Sequence, residues 1–252
     1  MHNEQTLTKL RGMRLSVMAD SMEERVNRGD HKGVSPEEFV GLLVDDEFTA
    51  RKNRTLSRMT GRANFKPEGA CIENIDYKTP RGFTKSDIMV FTSDSWIKNA
   101  QNVVLCGPTG VGKTYIAQAI AQQALRMGYS SMRLRYKMLF EEISRAKGTG
   151  QYLKFIAKMD KIRVLIIDDF VMGTINTSEV SELMEILEDR SLKNSTIVTT
   201  QFPIGKWHSQ LPEPTFADAI CDRFKKLSIV FNLKGESMRK PQKTKEDLTH
   251  QK

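Results

Sequence analysis

Long apolar runs are absent from this 252-residue sequence. No hydrophobic stretch approaches the roughly 20 residues that a membrane helix needs. Met1 to Thr6 carry no apolar signal core, so no secretory leader and no membrane contact are expected. Cysteine is scarce. Cys71, Cys106 and Cys221 stand too far apart for a metal clip or a redox pair, and their odd number fits a reducing compartment. His2, His31, His208 and His250 show no ligand spacing. No repeat or low-complexity tract occurs. These absences exclude disulfide-stapled and zinc-ribbon scaffolds, and a cytoplasmic protein is expected.

The chain does have enough apolar residues for a core, 39% of the total. It also has an excess of base: Lys and Arg number 39 against 31 acids, a formal charge of +8. That excess favours a polyanionic partner, nucleic acid or an anionic surface.

Residues 1–60 read as a small helical module. From Thr6 to Arg28, Leu10, Met13 and Val17 share one helical face, and Gly29 is a C-terminal stop. Ser35-Pro36-Glu37-Glu38 starts a second helix by capping-box logic. It runs into a basic tail, Arg51, Lys52, Arg54 and Arg58. Residues 61–101, with Pro67, Pro80 and several glycines, read as a linker with short helices. From 102 to 240, short apolar strands alternate with helices. The strands are Val103–Cys106, Met132–Tyr136, Val164–Ile167, Thr196–Thr199 and Ser228–Leu233. Such alternation predicts an α/β fold with a five-stranded parallel sheet flanked by helices. Residues 241–252 read as a disordered basic tail.

Gly107-Pro108-Thr109-Gly110-Val111-Gly112-Lys113-Thr114 fits the P-loop pattern, with an apolar strand before it and an amphipathic helix after it. Glycines let successive N–H groups turn inward, and the helix presents its positive end to phosphates. Lys113 is expected to reach the β- and γ-phosphate oxygens of ATP, with Tyr115 continuing the binding segment. The Thr114 hydroxyl is expected to hold Mg²⁺. Val164–Ile167 then ends in Asp168-Asp169 at the carboxyl edge of the sheet, where ligands bind in such folds. Asp168 suits Mg²⁺, directly or through water, and Asp169 suits orienting or deprotonating the attacking water.

These motifs, in this order, resemble the IstB-like ATPases that accompany bacterial insertion-sequence transposases. More distantly the chain is similar to DnaC-type helicase loaders, all within the AAA+ class of P-loop NTPases. The resemblance spans nearly the whole chain. It includes Ile72–Tyr77, Asp168-Asp169-Phe170, Thr199-Thr200-Gln201, Ala219–Arg223 and Gly235-Glu236-Ser237-Met238-Arg239. It implies that Ile72–Tyr77 packs on adenine and that Gln201, or else Thr200, senses the γ-phosphate. It also implies that Arg223 reaches a neighbouring subunit's site in a self-oligomer, and that Arg239 matches the family's late arginine. In other NTPases such an arginine is worth roughly 10³–10⁵ in rate. Asp169 stands where the class more often has Glu, so slow turnover is expected.

Two basic clusters are candidates for sequence-independent contact with double-stranded DNA: Arg51, Lys52, Arg54 and Arg58, and Arg133, Arg135, Lys137, Arg145 and Lys147. Either could instead be a solvated helix face. The function implied is an ATP-dependent DNA-binding ATPase that assembles on target DNA and stimulates a partner transposase. The alternative is a replicative helicase loader. A small-molecule kinase is disfavoured, because no acceptor motif is visible.

Overall fold

The computed structural model describes residues 2–66 and 69–238. Arg239 and the expected basic tail lie outside the described residues. The chain divides into two compact units, residues 1–59 and residues 60–252.

The first unit is helical. The single helix expected over 6–28 is two, α1 (His2–Gly12) and α2 (Ser16–Arg28). Gly12 is a poor helix former, and Arg14 takes a left-handed φ of 61° that breaks the run. Gly29, at φ 80°, ends α2 with its N–H on the carbonyls of Arg25 and Val26. α3 (Pro36–Arg62) opens with the Glu38 N–H donating to Ser35 Oγ and carries the basic stretch; its last three residues belong to the second unit. Glu47, buried on α3, accepts from the Met18 N–H and from Arg51 Nε. Asp46 accepts from Ser21 and Arg25, and these donors hold its carboxyl below the usual range.

The second unit is a five-stranded parallel sheet in the order β2-β3-β4-β1-β5. The strands are β1 (Asn102–Cys106), β2 (Ser131–Arg135), β3 (Val164–Asp168), β4 (Ser195–Thr200) and β5 (Ser228–Asn232). Tyr136, expected in the second strand, instead begins the next helix. Alternate residues of each strand feed opposite faces. Leu165 and Ile167 of β3 enter one core layer, and Val164 and Ile166 enter the other. The helices α6 (Lys113–Arg126), α7 (Tyr136–Gly148), α8 (Tyr152–Lys161), α9 (Thr177–Arg190) and α10 (Pro214–Lys226) cover the faces. Both faces being covered explains why β3 and β4 are buried throughout.

The stretch read as a linker is part of this core. With α4 (Lys85–Met89) and α5 (Ser95–Lys98), it contributes Ile72, Ile75, Ile88, Phe91 and Trp96 to the layer shared with α6. The apolar residues of 70–97 are spaced too irregularly for one long helix, so their burial was not legible from periodicity.

Candidate functional site

The site is built where β1, β3 and β4 end together. β1 pairs with β4, and β4 with β3, so the loop after β1 stands beside the carboxyl ends of both. A cleft of about 580 Å³ opens there. Thr109, Gly110, Gly112, Lys113, Thr114 and Tyr115 line it, with Asp168, Asp169 and Gln201 across from them. Val111 anchors the loop by being fully buried. Gly110 and Gly112 have φ of 89° and 94°, a left-handed conformation that favours glycine. A Cβ on Gly110 would collide with Ser237 Oγ.

Lys113 is buried, and its ammonium donates to the carbonyls of Gly107 at 2.9 Å and Pro108 at 2.8 Å. The P-loop thus positions its own lysine. Asp168 is 1% exposed and its carboxylate is saturated. Oδ1 accepts from Thr114 Oγ1 at 2.9 Å and from Thr199 Oγ1. Oδ2 accepts from Arg133 Nε at 3.0 Å and from Arg133 Nη2. Thr199 Oγ1 also accepts the Asp169 N–H at 3.0 Å. That bond helps hold Asp169 at a left-handed φ of 59° and turns its carboxyl into the cleft. Asp169 is exposed, yet partial desolvation of its carboxyl in the cleft raises its pKa, with the Asp168 charge adding to the effect. Lys113, Arg135 and Arg133 oppose that shift.

Gln201 follows β4 and crosses to the P-loop, its Nε2 donating to Thr109 Oγ1 at 2.8 Å and to Met172 Sδ at 3.2 Å. Thr200, the second choice for that role, exchanges hydrogen bonds with Phe202 instead. Asn74 and Asp76, from the stretch expected to pack on adenine, line the cleft, while Ile72 and Ile75 are buried.

Mg²⁺ suits the donors present. A hydroxyl and a carboxylate oxygen 2.9 Å apart are hard oxygen ligands, and a bound triphosphate would supply more. Among the described residues no cluster of three or more His, Cys, Asp and Glu could hold a metal ion.

The basic residues separate into groups. Arg133, expected on a DNA-facing surface, is 5% exposed and committed to Asp168, so it is no surface phosphate contact. Arg135 lines the cleft. Lys137 on α7 is exposed; Arg145 pairs with Glu142 at 2.8 Å, and Lys147 pairs with Glu182. In the first unit Lys52 and Arg54 are exposed, while Arg51 is tied to Glu47 and to the Arg14 carbonyl. Arg223 lies on α10 outside its own cleft, donating to the Ala219 carbonyl at 3.0 Å with Glu188 3.5 Å away.

A family model described as IstB-like ATP binding protein matches residues 8–246. The chain belongs to the IstB-like family. An insertion-sequence ATP-binding protein of Sinorhizobium fredii, y4pL, is 35% identical over 240 residues, covering 95% of this chain and 98% of that one. The ATP-binding protein of insertion sequence IS1162 from Pseudomonas fluorescens is 36% identical over 81% of this chain and 88% of its own. Among solved structures, the DnaC helicase loader aligns with a TM-score of 0.57 at 18% identity, over 66% of this chain and 98% of that one. The replication initiator DnaA bound to AMPPCP and single-stranded DNA aligns at 0.59 and 15%, over 69% and 52%. These two likenesses bear on the fold alone, an α/β P-loop NTPase fold. No helix of this IstB-like chain, among the described residues, is long and apolar enough to cross a membrane.

Lys66 and Arg81 line the cleft of the IstB-like chain outside any motif. Arg81 is 4% exposed and packs against Gly112. The only sequence signal is an arginine between Pro80 and Gly82, shortly after Ile72–Tyr77.

Proposed function

We propose that this chain binds ATP with Mg²⁺ in the cleft at the end of β1, hydrolyses it, and uses the cycle to assemble on duplex DNA and stimulate a transposase. The observation that carries the reading is the gathering of Lys113, Thr114, Asp168, Asp169 and Gln201 around one cleft, in a chain of the IstB-like family. The relatives are named from insertion sequences, which supports transposition over helicase loading.

The loop amides and the start of α6 hold the phosphates, and Lys113 leaves its carbonyl partners for the β- and γ-phosphate oxygens. Thr114 would hold Mg²⁺ directly and Asp168 would hold it through water, and the ion would neutralise charge on the phosphate oxygens when bound. Asp168 already accepts four hydrogen bonds. Its role is therefore to orient Thr114 and any bound water. Asp169 takes a proton from the water that attacks the γ-phosphorus, while the bond to the β-phosphate oxygen breaks and ADP leaves. A raised pKa improves Asp169 as a base. Gln201, bridging Thr109 and the loop after β3, is placed to report the γ-phosphate to both. Arg223 acts on a neighbouring subunit's nucleotide.

The test measures ATP hydrolysis and duplex binding with and without ATP or a non-hydrolysable analogue. ATP should increase both oligomer size and DNA affinity, and the affinity should fall steeply with salt. An affinity and oligomer size indifferent to nucleotide would sink the reading. Arg223→Ala should abolish hydrolysis, and mixing it with Asp169→Asn subunits should restore some activity.

A further inference from the structure

We propose that Arg81 is a second phosphate-binding cation of the nucleotide site, placed beside Lys113 by the segment that precedes β1. The proposal rests on the nucleotide-binding reading above and adds a ligand to it.

The guanidinium of Arg81 is enclosed. Nη1 donates to the Val111 carbonyl at 3.3 Å, Nη2 donates to the Asp76 carbonyl, and the Cζ atom lies 5.2 Å from the centre of the Phe83 ring. Nε is buried with no hydrogen-bond partner among the described residues. No described carboxylate comes within ion-pair distance, whereas Arg133, the other buried arginine at this cleft, has Asp168. A buried cation with no paired anion is expensive, and two carbonyls, a ring and the Asp76 carboxylate, which feels the Arg81 charge from beyond ion-pair distance, offset only part of the cost. An anion with several acceptor oxygens would satisfy both the charge and the remaining N–H groups.

The surroundings select that anion. Arg81 faces the cleft with Lys113, Thr114 and Tyr115, on the loop whose geometry already suits phosphate. A Cβ on Gly112 would lie 2.9 Å from Arg81 Nη1, so the left-handed glycine also makes room for the guanidinium. The arginine is held from behind as well: the Lys234 N–H donates to the Arg81 carbonyl at 3.0 Å, and the Met238 N–H donates to the Gly110 carbonyl at 2.9 Å. The segment after β5 therefore clasps Arg81 and the P-loop together. A fork fixed at both backbone and loop is preorganised for a polyphosphate.

The test titrates fluorescent ADP into the wild-type full chain and the Arg81→Gln, Arg81→Lys and Lys113→Ala variants, with thermal melts in each case. Arg81→Gln should raise the Kd for ADP at least tenfold, and Arg81→Lys should recover part of the loss. Without nucleotide, the lost bonds to the Val111 and Asp76 carbonyls and the removed buried charge act in opposite directions, so Arg81→Gln should melt close to wild type; a large drop would mark a structural tether instead. Its melting shift on saturation with ADP should shrink. Wild-type ADP affinity in Arg81→Gln, while Lys113→Ala loses binding, would overturn this inference and spare the proposed function. An equal loss of affinity for adenosine would also overturn it, by moving the contact to the nucleoside. Absence of ADP binding by the wild-type chain would overturn both.

Discussion

Arg133 on β2 and Asp168 on β3 form an ion pair buried between neighbouring strands, with Arg133 Nε 3.0 Å from Asp168 Oδ2. The pair sits under the cleft, where Asp168 also receives the hydroxyls of Thr114 and Thr199. A carboxylate bonded on both oxygens has little freedom, so Arg133 fixes the orientation of the acid that organises the site.

Removing Arg133 should therefore be costly. Arg133→Ala strands a buried carboxylate and should destabilise the chain by about 3–5 kcal/mol. Arg133→Lys keeps the charge without the fork and should cost less. Chemical denaturation of the three proteins measures the difference; equal stability would show that the pair is not a structural element.

Asp169 should respond to pH in a definite direction. Its pKa is raised in the folded chain, chiefly by partial desolvation and then by Asp168. Ionisation is thus dearer folded than unfolded, and it subtracts stability above the folded pKa. The penalty fades as pH falls from the folded pKa towards the ordinary carboxylate value and is gone below it. Asp169→Asn should stabilise the nucleotide-free chain at pH 7 more than at pH 4, while hydrolysis falls by 10²-fold or more, a general-base contribution. Thermal melts at the two pH values and steady-state ATPase rates check this; wild-type turnover would remove Asp169 from the chemistry.

Surface bases should act differently from Arg133. Lys137 is exposed on α7, and Lys52 and Arg54 are exposed on α3. If any of these touches DNA phosphate, its alanine variant should lower the slope of log affinity against log salt by about one, with no change in sequence preference. Fluorescence anisotropy over a salt series measures it. An unchanged slope for Lys137→Ala would remove α7 from the interface at that point.

Arg190 makes a purely structural prediction. It is 1% exposed, and its guanidinium reaches Thr196 Oγ1 and the carbonyls of Met159, Ile162 and Ser195. Arg190→Leu leaves those carbonyls unpaired, at roughly 1–3 kcal/mol each. A loss of at least about 3 kcal/mol in urea unfolding is expected, with ADP affinity per folded molecule unchanged.

Lys113 and Asp168 could be placed at the cleft because each belongs to a local pattern, a glycine-rich loop or a strand closed by acids, whereas Gln201 came only from the family resemblance. The five strands were legible for a related reason, since a sheet covered on both faces needs short continuous apolar runs. The packing of residues 70–97 was less legible, because short helices and turns carry no sustained period. Arg133 and Arg81 could not be placed by spacing. Both look like ordinary surface bases in a chain with 39 Lys and Arg.

By itself the sequence determined the parallel α/β sheet and the phosphate loop, because both depend on neighbours along the chain: strand periodicity, backbone torsion and helix polarity. Only the tertiary structure decided which arginines are surface charge and which are interior. The register of β2 on β3 sets Arg133 opposite Ile166, and from there its side chain reaches diagonally to Asp168, while the clasp of residues 234–238 seats Arg81 against the P-loop. Burial of charge is settled by what arrives from elsewhere in the chain, and no local pattern records that arrival.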